Sequence, residues 1–172
     1  MDFLQLAKMR YSVRRFSDTP VPQKLAEQIL QAGLVAPTAH NNQPQKIFVL
    51  DDAKNLAALA RCTECSYGAT LAYLICYDKT ICWQRPYDGK LSGDIDASIV
   101  ATHMMLEAAS LGIGSTWVMF FIPEAVRTEF SLPDNLEPTA ILVMGYAAQD
   151  AVPSPRHTEF RDAAETVVRN PL

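Results

Sequence analysis

The sequence predicts one domain in which α-helices and β-strands are mixed without a regular βαβ alternation. Its 172 residues are 49% hydrophobic, which is enough to close one core, and the chain is short for two. Two apolar patterns occur: residues three or four positions apart, typical of helices, and short continuous runs, typical of strands. We find no internal repeat and no low-complexity linker, so residues 1–172 are expected to form a single unit.

The clearest predicted helix carries its apolar residues on one face, and these are Leu25, Ala26, Ile29, Leu30 and Leu34. Pro22 suits the first turn of this helix, and Gly33 lies near its end. In chain order, helices are predicted over residues 3–7, 22–33, 51–60, 95–111 and 123–130.

Strands are predicted where β-branched, aromatic and other apolar residues follow one another. The run 71–77 is almost wholly apolar, which indicates an interior strand covered on both faces. In chain order, strands are predicted over residues 46–50, 71–77, 115–121 and 139–145.

The helix predicted over 95–111 is apolar on much more than one face. In so small a chain this indicates either a central core helix or a helix shared with a second subunit, and we favour the second reading. The pair Met104-Met105 offers a surface that packs adaptably. The tail from Ala147 onward has no strong core pattern before residues 163–168 and is expected to lie across a partner subunit.

Charge and composition exclude several classes of protein. With 15 basic and 19 acidic residues, the net charge is −4, and no basic run offers a track for nucleic acid. The N-terminus lacks the pattern of a signal peptide, and no apolar stretch approaches the roughly 20 residues that span a bilayer. We expect a cytoplasmic protein, not bound to a membrane, whose four cysteines are reduced thiols.

The segment Arg10-Tyr11-Ser12-Val13-Arg14 has the composition of an anion clamp. Arg10, Ser12 and Arg14 occupy alternating positions, which an extended or turning backbone points the same way. Guanidinium groups are planar, permanently charged donors that suit a phosphate, and serine adds a short hydroxyl donor. The alternative, on this segment alone, is a solvated basic surface loop.

A second polar cluster lies between two prolines, in the stretch Pro37-Thr38-Ala39-His40-Asn41-Asn42-Gln43-Pro44. Asparagine and glutamine each supply both a donor and an acceptor, which the edge of a heterocycle such as a flavin requires. Taken alone, the stretch could equally be an ordinary connecting loop.

Together these patterns closely resemble the nitroreductase family. The resemblance starts with R-x-S-x-R-x-F, an amphipathic helix and A-P-T-A-x-N-x-Q-P followed by a strand. It continues in order to the end of the chain through Asp96-Ala97-Ser98-Ile99, Leu111-Gly112-Ile113-Gly114-Ser115-Thr116-Trp117, Pro123-Glu124-Ala125-Val126, Met144-Gly145-Tyr146 and Pro155-Arg156. Each motif is weak, but the ordered set is strong.

The resemblance implies two sets of cofactor-binding residues for FMN. The set that would hold its phosphate, ribityl chain and pyrimidine edge is Arg10, Tyr11, Ser12, Arg14 and Arg156. The set that would meet the isoalloxazine, in the family usually from the opposite subunit, is Pro37, Thr38, Ala39, Asn41 and Gln43. The site would then be complete only in a homodimer.

The resemblance also implies an α+β fold: an α/β sandwich with a mainly antiparallel central sheet flanked by helices, in an intertwined homodimer. One departure concerns the pocket. Where relatives often have small residues and glycine beside the flavin, this chain has Met119-Phe120-Phe121. We expect Met119 to contact the cofactor and Phe120 and His40 to face the substrate, with a narrower or shielded acceptor side.

The function that this resemblance implies is hydride transfer from NADH or NADPH through FMN to an electron-poor acceptor, such as a nitroaromatic compound, a quinone or a flavin. Donor and acceptor would use one cavity in turn, and no protein acid or base is required because the flavin carries the chemistry. The alternative function is a flavin-binding storage or sensing module of the same fold without turnover.

Other motifs carry weaker hypotheses. Cys62-Thr63-Glu64-Cys65 has the spacing of a redox dithiol or half a zinc site, but no second ligand pair is well formed, so no metal site is predicted. His103, on the apolar helix, is more typical of a hydrogen-bonded interior or interface histidine than of a catalyst. The polar and aromatic segment from Trp83 to Lys90 is either a lid over the site or plain surface.

Overall fold

A computed structural model describes residues 2–171 and contains six helices and four strands within that range. The helices are α1 (Phe3–Met9), α2 (Gln23–Leu34), α3 (Ala53–Cys62), α4 (Gly93–Ser110), α5 (Pro123–Glu129) and α6 (Ala163–Thr166). The strands are β1 (Gln45–Leu50), β2 (Leu71–Asp78), β3 (Gly114–Val118) and β4 (Leu136–Gly145). Two short 3₁₀ turns cover Ala39–Asn41 and Pro155–Thr158.

The four strands form one sheet in the order β1-β2-β4-β3, and every neighbouring pair is antiparallel. The antiparallel α+β architecture expected from the sequence is therefore confirmed. β2 and β4 occupy the centre, and residues 71–77 of β2 are all buried, as the apolar run predicted. β1 and β3 lie at opposite edges, and this order decides where the two halves of the predicted site fall.

Helices cover both faces of the sheet because side chains alternate along each strand. On one face, Tyr73 and Ile75 of β2 pack with residues of α2 and α4 such as Ile29 and Val100. On the other face, neighbouring β2 residues such as Leu74 pack with residues of α3 and α5, in a second core cluster. The domain is a three-layer sandwich in which the long helix α4 runs across one face.

Two predicted strand boundaries are wrong. β3 ends at Val118 instead of continuing to Phe121, because the backbone then turns and the Ile122 N–H donates to the Cys62 carbonyl at 2.9 Å. β4 begins at Leu136, three residues before the predicted start. Pro138 has no N–H for the ladder, and it is accommodated where the β2–β4 register shifts between Ile75 and Cys76.

Within the single chain, α4 is buried along one face only, and its sharing with a second subunit stays a prediction. Ile95 is exposed over about half of its surface. The tail is also unpacked: Phe160 is 84% exposed and Val168 is 75% exposed, and α6 buries none of its residues. The apolar pattern at 163–168 therefore does not contribute to this chain's own core. None of the helices within residues 2–171 is long and apolar enough to cross a membrane.

Candidate functional site: an arginine pocket and an amide loop

The N-terminal segment lies extended along the outer edge of β3. Ser12 forms a parallel bridge with Ser115, and the Val13 N–H donates to the Ser115 carbonyl at 3.0 Å. The Thr116 hydroxyl donates to the Val13 carbonyl from the same strand. Val13 is buried beneath the segment, so this side chain anchors it while those of Ser12 and Arg14 remain accessible.

All five residues predicted to hold the phosphate end of FMN line one pocket of about 220 Å³, here called the arginine pocket. Two further residues, Ser154 and His157, complete its lining. The complete set is Arg10, Tyr11, Ser12, Arg14, Ser154, Arg156 and His157. Residues far apart in the sequence, from the start and the end of the chain, therefore converge on one cavity.

The arginine pocket concentrates positive charge in a chain whose net charge is negative. Three guanidinium groups line it, and none of its described lining residues is acidic. Glu159, just outside, lies 3.6 Å from the Arg156 Nε atom in an exposed ion pair. Arg15 is not part of the pocket and instead pairs with Asp150 at 2.6 Å. The hydroxyl and guanidinium donors of the pocket suit a doubly charged anion.

The 3₁₀ turn Pro155–Thr158 forms a further wall of the pocket, and only Arg156 of this turn was predicted to contact the cofactor. The Ser154 side chain caps this turn by accepting from the Arg156 N–H at 3.3 Å. The His157 Nε2 atom lies 3.1 Å from the Lys8 carbonyl of α1, and its ring meets Tyr11 edge-on at 6.2 Å. A Ser-Pro pair before two basic residues was the sequence signal that could have pointed to Ser154 and His157.

The second predicted set lies in the loop that joins α2 to β1, here called the amide loop (residues 37–43). Its conformation is fixed by internal and long-range hydrogen bonds. The Thr38 hydroxyl accepts from the Gln43 N–H at 3.0 Å, and the Ala39 N–H donates to Asp96 at 2.8 Å. His40, Asn41 and Gln43 all have positive φ. The side chains of Asn41 and Gln43 are exposed, and the Gln43 side-chain amide donates to the Asn41 carbonyl at 3.5 Å.

The segment between β2 and α4 contacts the amide loop. The ring of Trp83 stacks on that of His40 at 5.4 Å with an interplanar angle of 15°. The Asn42 side-chain amide donates to the Ile81 carbonyl at 2.9 Å. Beyond Trp83, an Arg85–Asp88 ion pair stabilises a hairpin-like turn. A lid role stays a prediction, but this segment is packed against the loop that it would cover.

Within one chain, the amide loop and the arginine pocket lie at diagonally opposite corners of the sheet. At one corner, Gln45 follows the amide loop and pairs with Tyr77 of β2, which in turn pairs with Glu137 of β4. At the other corner, Ser12 contacts Ser115 of β3, which pairs with Met144 of β4. From Glu137 to Met144 is seven residues along β4. From β1 to the N-terminal segment beside β3 is four strand spacings, so the two corners lie roughly 30 Å apart. That is about the diameter of a small domain, too far for one mononucleotide to bridge.

The positions of Met119 and Phe120 differ from those of both predicted sets. They follow β3 and are largely exposed, and Phe120 lines a separate cavity of about 350 Å³ together with residues at the end of α3. The Thr63 hydroxyl donates to the Phe120 carbonyl and fixes the segment there. The single chain therefore brings neither residue to its own arginine pocket.

The Cys62-x-x-Cys65 motif belongs to no cluster of metal-ligating side chains in the part of the chain that the structure describes. Cys62 is buried, and its burial raises the pKa of the thiol. Across residues 2–171, no group of three or more His, Cys, Asp or Glu side chains is arranged to hold a metal ion. Both thiols are free in the fold.

Comparison with known proteins decides the family. The model of the nitroreductase family matches residues 7–67 and 68–146, which include the N-terminal segment, the amide loop and the whole sheet. The chain belongs to the nitroreductase family. The resemblance noted from the ordered motifs is thereby confirmed.

Solved and curated members of the nitroreductase family extend this result. A nitroreductase-family protein from Clostridium difficile 630 has 43% sequence identity and a TM-score of 0.94, with full coverage of both chains. A Desulfovibrio desulfuricans protein provisionally named a nitroreductase, whose crystal structure contains FMN, has 28% identity and a TM-score of 0.79 over 98% of this chain and 96% of its own.

A Methanothermobacter thermautotrophicus protein, provisionally named an NADH dehydrogenase/NAD(P)H nitroreductase, is 30% identical over 161 residues. The match covers 87% of this chain and 80% of the relative.

Proposed function

We propose that this chain is an FMN-dependent oxidoreductase that passes hydride from NADH or NADPH to an electron-poor acceptor, working as a homodimer with shared sites. The observation that carries the proposal is the convergence of Arg10, Ser12, Arg14 and Arg156 on one cavity. The acceptor would be a nitroaromatic compound, a quinone or a flavin.

The donors of the arginine pocket fit the phosphate end of FMN. Guanidinium forks and the Ser12 hydroxyl are donors that suit the oxygens of a phosphate dianion, which only accept hydrogen bonds. At about 220 Å³ the pocket is smaller than the roughly 300–1,000 Å³ usual for a cofactor site, so it accommodates one end of the molecule. The FMN complex of the Desulfovibrio desulfuricans relative supports the same choice of cofactor.

A second copy of the chain would supply the surface for the isoalloxazine. The amide loop has its exposed donors and acceptors far from the arginine pocket of its own chain. The exposed apolar side of α4 and the unpacked tail offer the apolar surface that a partner would cover. Both features support a dimer in which each site takes its arginines from one subunit and its amide loop from the other.

FMN, when bound, supplies the hydride chemistry, and the chain's own residues bind and orient it. Arg10, Arg14 and Arg156 bind the phosphate, while Asn41 and Gln43 present amide groups to the ring edge. The rigid backbone of the amide loop means that little ordering is needed on binding. Donor and acceptor would enter the same cavity in turn, beside Met119, Phe120 and His40.

The function is tested on purified protein by titration with FMN and then by reduction under anaerobic conditions. We expect a yellow complex that NADH or NADPH bleaches and that a quinone or nitro compound restores. Protein that stays colourless and does not bind FMN would contradict the proposal. Flavin that binds but is never reduced by either nucleotide would instead favour the storage or sensing module.

A further inference from the structure

Among the described residues that line the arginine pocket, His157 is the one histidine, and a histidine side chain exists in a neutral and a cationic form. It lies between Arg156 and the start of the chain, on the turn Pro155–Thr158, and its ring is half-buried. Histidine is the side chain whose charge ordinarily changes between about pH 5 and 8.

One ring nitrogen of His157 is already committed. The Nε2 atom lies 3.1 Å from the Lys8 carbonyl oxygen, and because a carbonyl only accepts, Nε2 carries the hydrogen. In the neutral ring, Nδ1 is then the unprotonated nitrogen. This contact also joins the tail to α1 and fixes the ring edge-on to Tyr11.

The groups around His157 are cationic or neutral, apart from the exposed Glu159. The segment 10–14 contributes Arg10, Arg14 and the Tyr11 phenol, α1 contributes the Lys8 carbonyl, and the turn itself contributes Arg156 with its exposed partner Glu159. A phosphate dianion bound among these groups would favour the cationic form of the ring.

We propose that His157 is a proton-linked residue of the phosphate site: entry of the phosphate dianion draws one proton from solvent onto Nδ1, and the imidazolium then adds a fourth positive charge. No bond to phosphorus forms or breaks. The inference rests on the proposed function and deepens it, because it makes FMN affinity depend on pH through this residue.

The matched variant is His157→Gln, whose side-chain amide can still donate to the Lys8 carbonyl but cannot be protonated. FMN dissociation constants are measured between pH 6 and pH 8.5 for the wild-type protein and for H157Q. The second ionisation of the FMN phosphate near pH 6 affects both proteins equally and cancels in their ratio. Riboflavin, which has no phosphate, serves as the control ligand.

We expect the affinity of the wild-type protein relative to H157Q to rise by about tenfold from pH 8.5 to pH 6 with FMN and to stay constant with riboflavin. Calorimetry in buffers of different ionisation enthalpy should also show that FMN binding takes up more protons in the wild type than in H157Q. Equal pH profiles, or the same change with riboflavin, would overturn the inference.

The outcomes separate the two proposals. If FMN binds and is reduced by a nicotinamide nucleotide while both proteins share one pH profile, the proposed function stands and the role of His157 is wrong. If the wild-type protein binds no FMN at any pH, both are overturned. A thermal unfolding curve for H157Q, together with that of His157→Ala, shows whether the tail contact to Lys8 affects stability independently of binding.

Discussion

The buried carboxylate of Asp96, in the first turn of α4, accepts a hydrogen bond from the Ala39 N–H at 2.8 Å. Its other oxygen accepts from the Ser92 hydroxyl at 2.6 Å, and the residue is only 1% exposed. One side chain thus joins the amide loop to the start of the longest helix. The backbone of the loop is thereby tied to the core.

Asp96→Ala should loosen the amide loop and destabilise the fold. It leaves the Ala39 N–H without its acceptor and removes the Ser92 contact, which should lower the free energy of unfolding by about 1–3 kcal/mol. Urea denaturation measures the change. Ser92→Ala, which keeps the bond to Ala39, should cost less, and an equal loss in both variants would contradict a role of Asp96 in holding the loop.

Arg14→Ala should weaken FMN binding while leaving riboflavin binding nearly unchanged. Removing one guanidinium from a phosphate costs about 1.5–3 kcal/mol, which corresponds to a dissociation constant raised about 10- to 100-fold. Fluorescence titration with both ligands measures this. Arg15→Ala is the matched control because Arg15 pairs with Asp150 outside the pocket. A similar loss in both variants would indicate a general effect of charge.

Gly93→Ala should destabilise the junction between β2 and α4. A Cβ atom at Gly93 would lie 2.0 Å from the Tyr77 Cδ2 atom, so the ring must move. Overpacking of this kind typically costs about 1–3 kcal/mol, which outweighs the gain in helix propensity of at most about 1 kcal/mol. Chemical denaturation measures the loss.

The double variant with Tyr77→Ala provides the control for this contact. Removing the ring should relieve the clash, so Gly93→Ala should cost less in that background than in the wild type. A penalty of equal size in both backgrounds would place its cause elsewhere.

The cysteines should differ in reactivity according to burial. Burial raises the pKa of Cys76 to about 12 and also raises that of Cys62, so at pH 8 both thiols remain protonated. Since the thiolate is the reactive form, alkylation should reach half-buried Cys65 first and spare Cys76 until the protein unfolds. Mass spectrometry of peptides after timed iodoacetamide treatment gives the order. Rapid, paired labelling of Cys62 and Cys65 would favour a dithiol.

Much of the fold could be predicted because local patterns determined it. The continuous apolar run 71–77 allowed only a central strand, and α4 was found within two residues of its predicted bounds. The end of β3 and the start of β4 could not be found in this way. Phe120 and Phe121 have strand propensity, but long-range contacts with the end of α3 turn the chain away from the sheet. Pro138 argues against a strand at its position, but the shift in the β2–β4 register accommodates it.

The sequence indicated most of the residues that line the arginine pocket, but not how the pocket and the amide loop are placed. Alternation put Arg10, Ser12 and Arg14 on one side of an extended segment, with a solvated surface loop as the alternative, and one cavity contains all three. Their distance from Asn41 and Gln43 depends on the strand order β1-β2-β4-β3, which no local pattern contains. His157 was missed because the Ser-Pro pair before it is only a weak signal, and the contact with α1 that brings it to the pocket is long-range.

Mixed dimers would show whether two chains share each flavin site. One chain carries Arg10→Ala and Arg14→Ala, the other carries Asn41→Ala and Gln43→Ala, and different affinity tags allow the mixed dimer to be isolated. Each homodimer should bind little FMN. The mixed dimer should recover about half of the wild-type FMN content, because one of its two sites combines the intact halves. A mixed dimer as empty as the two homodimers would contradict the shared site.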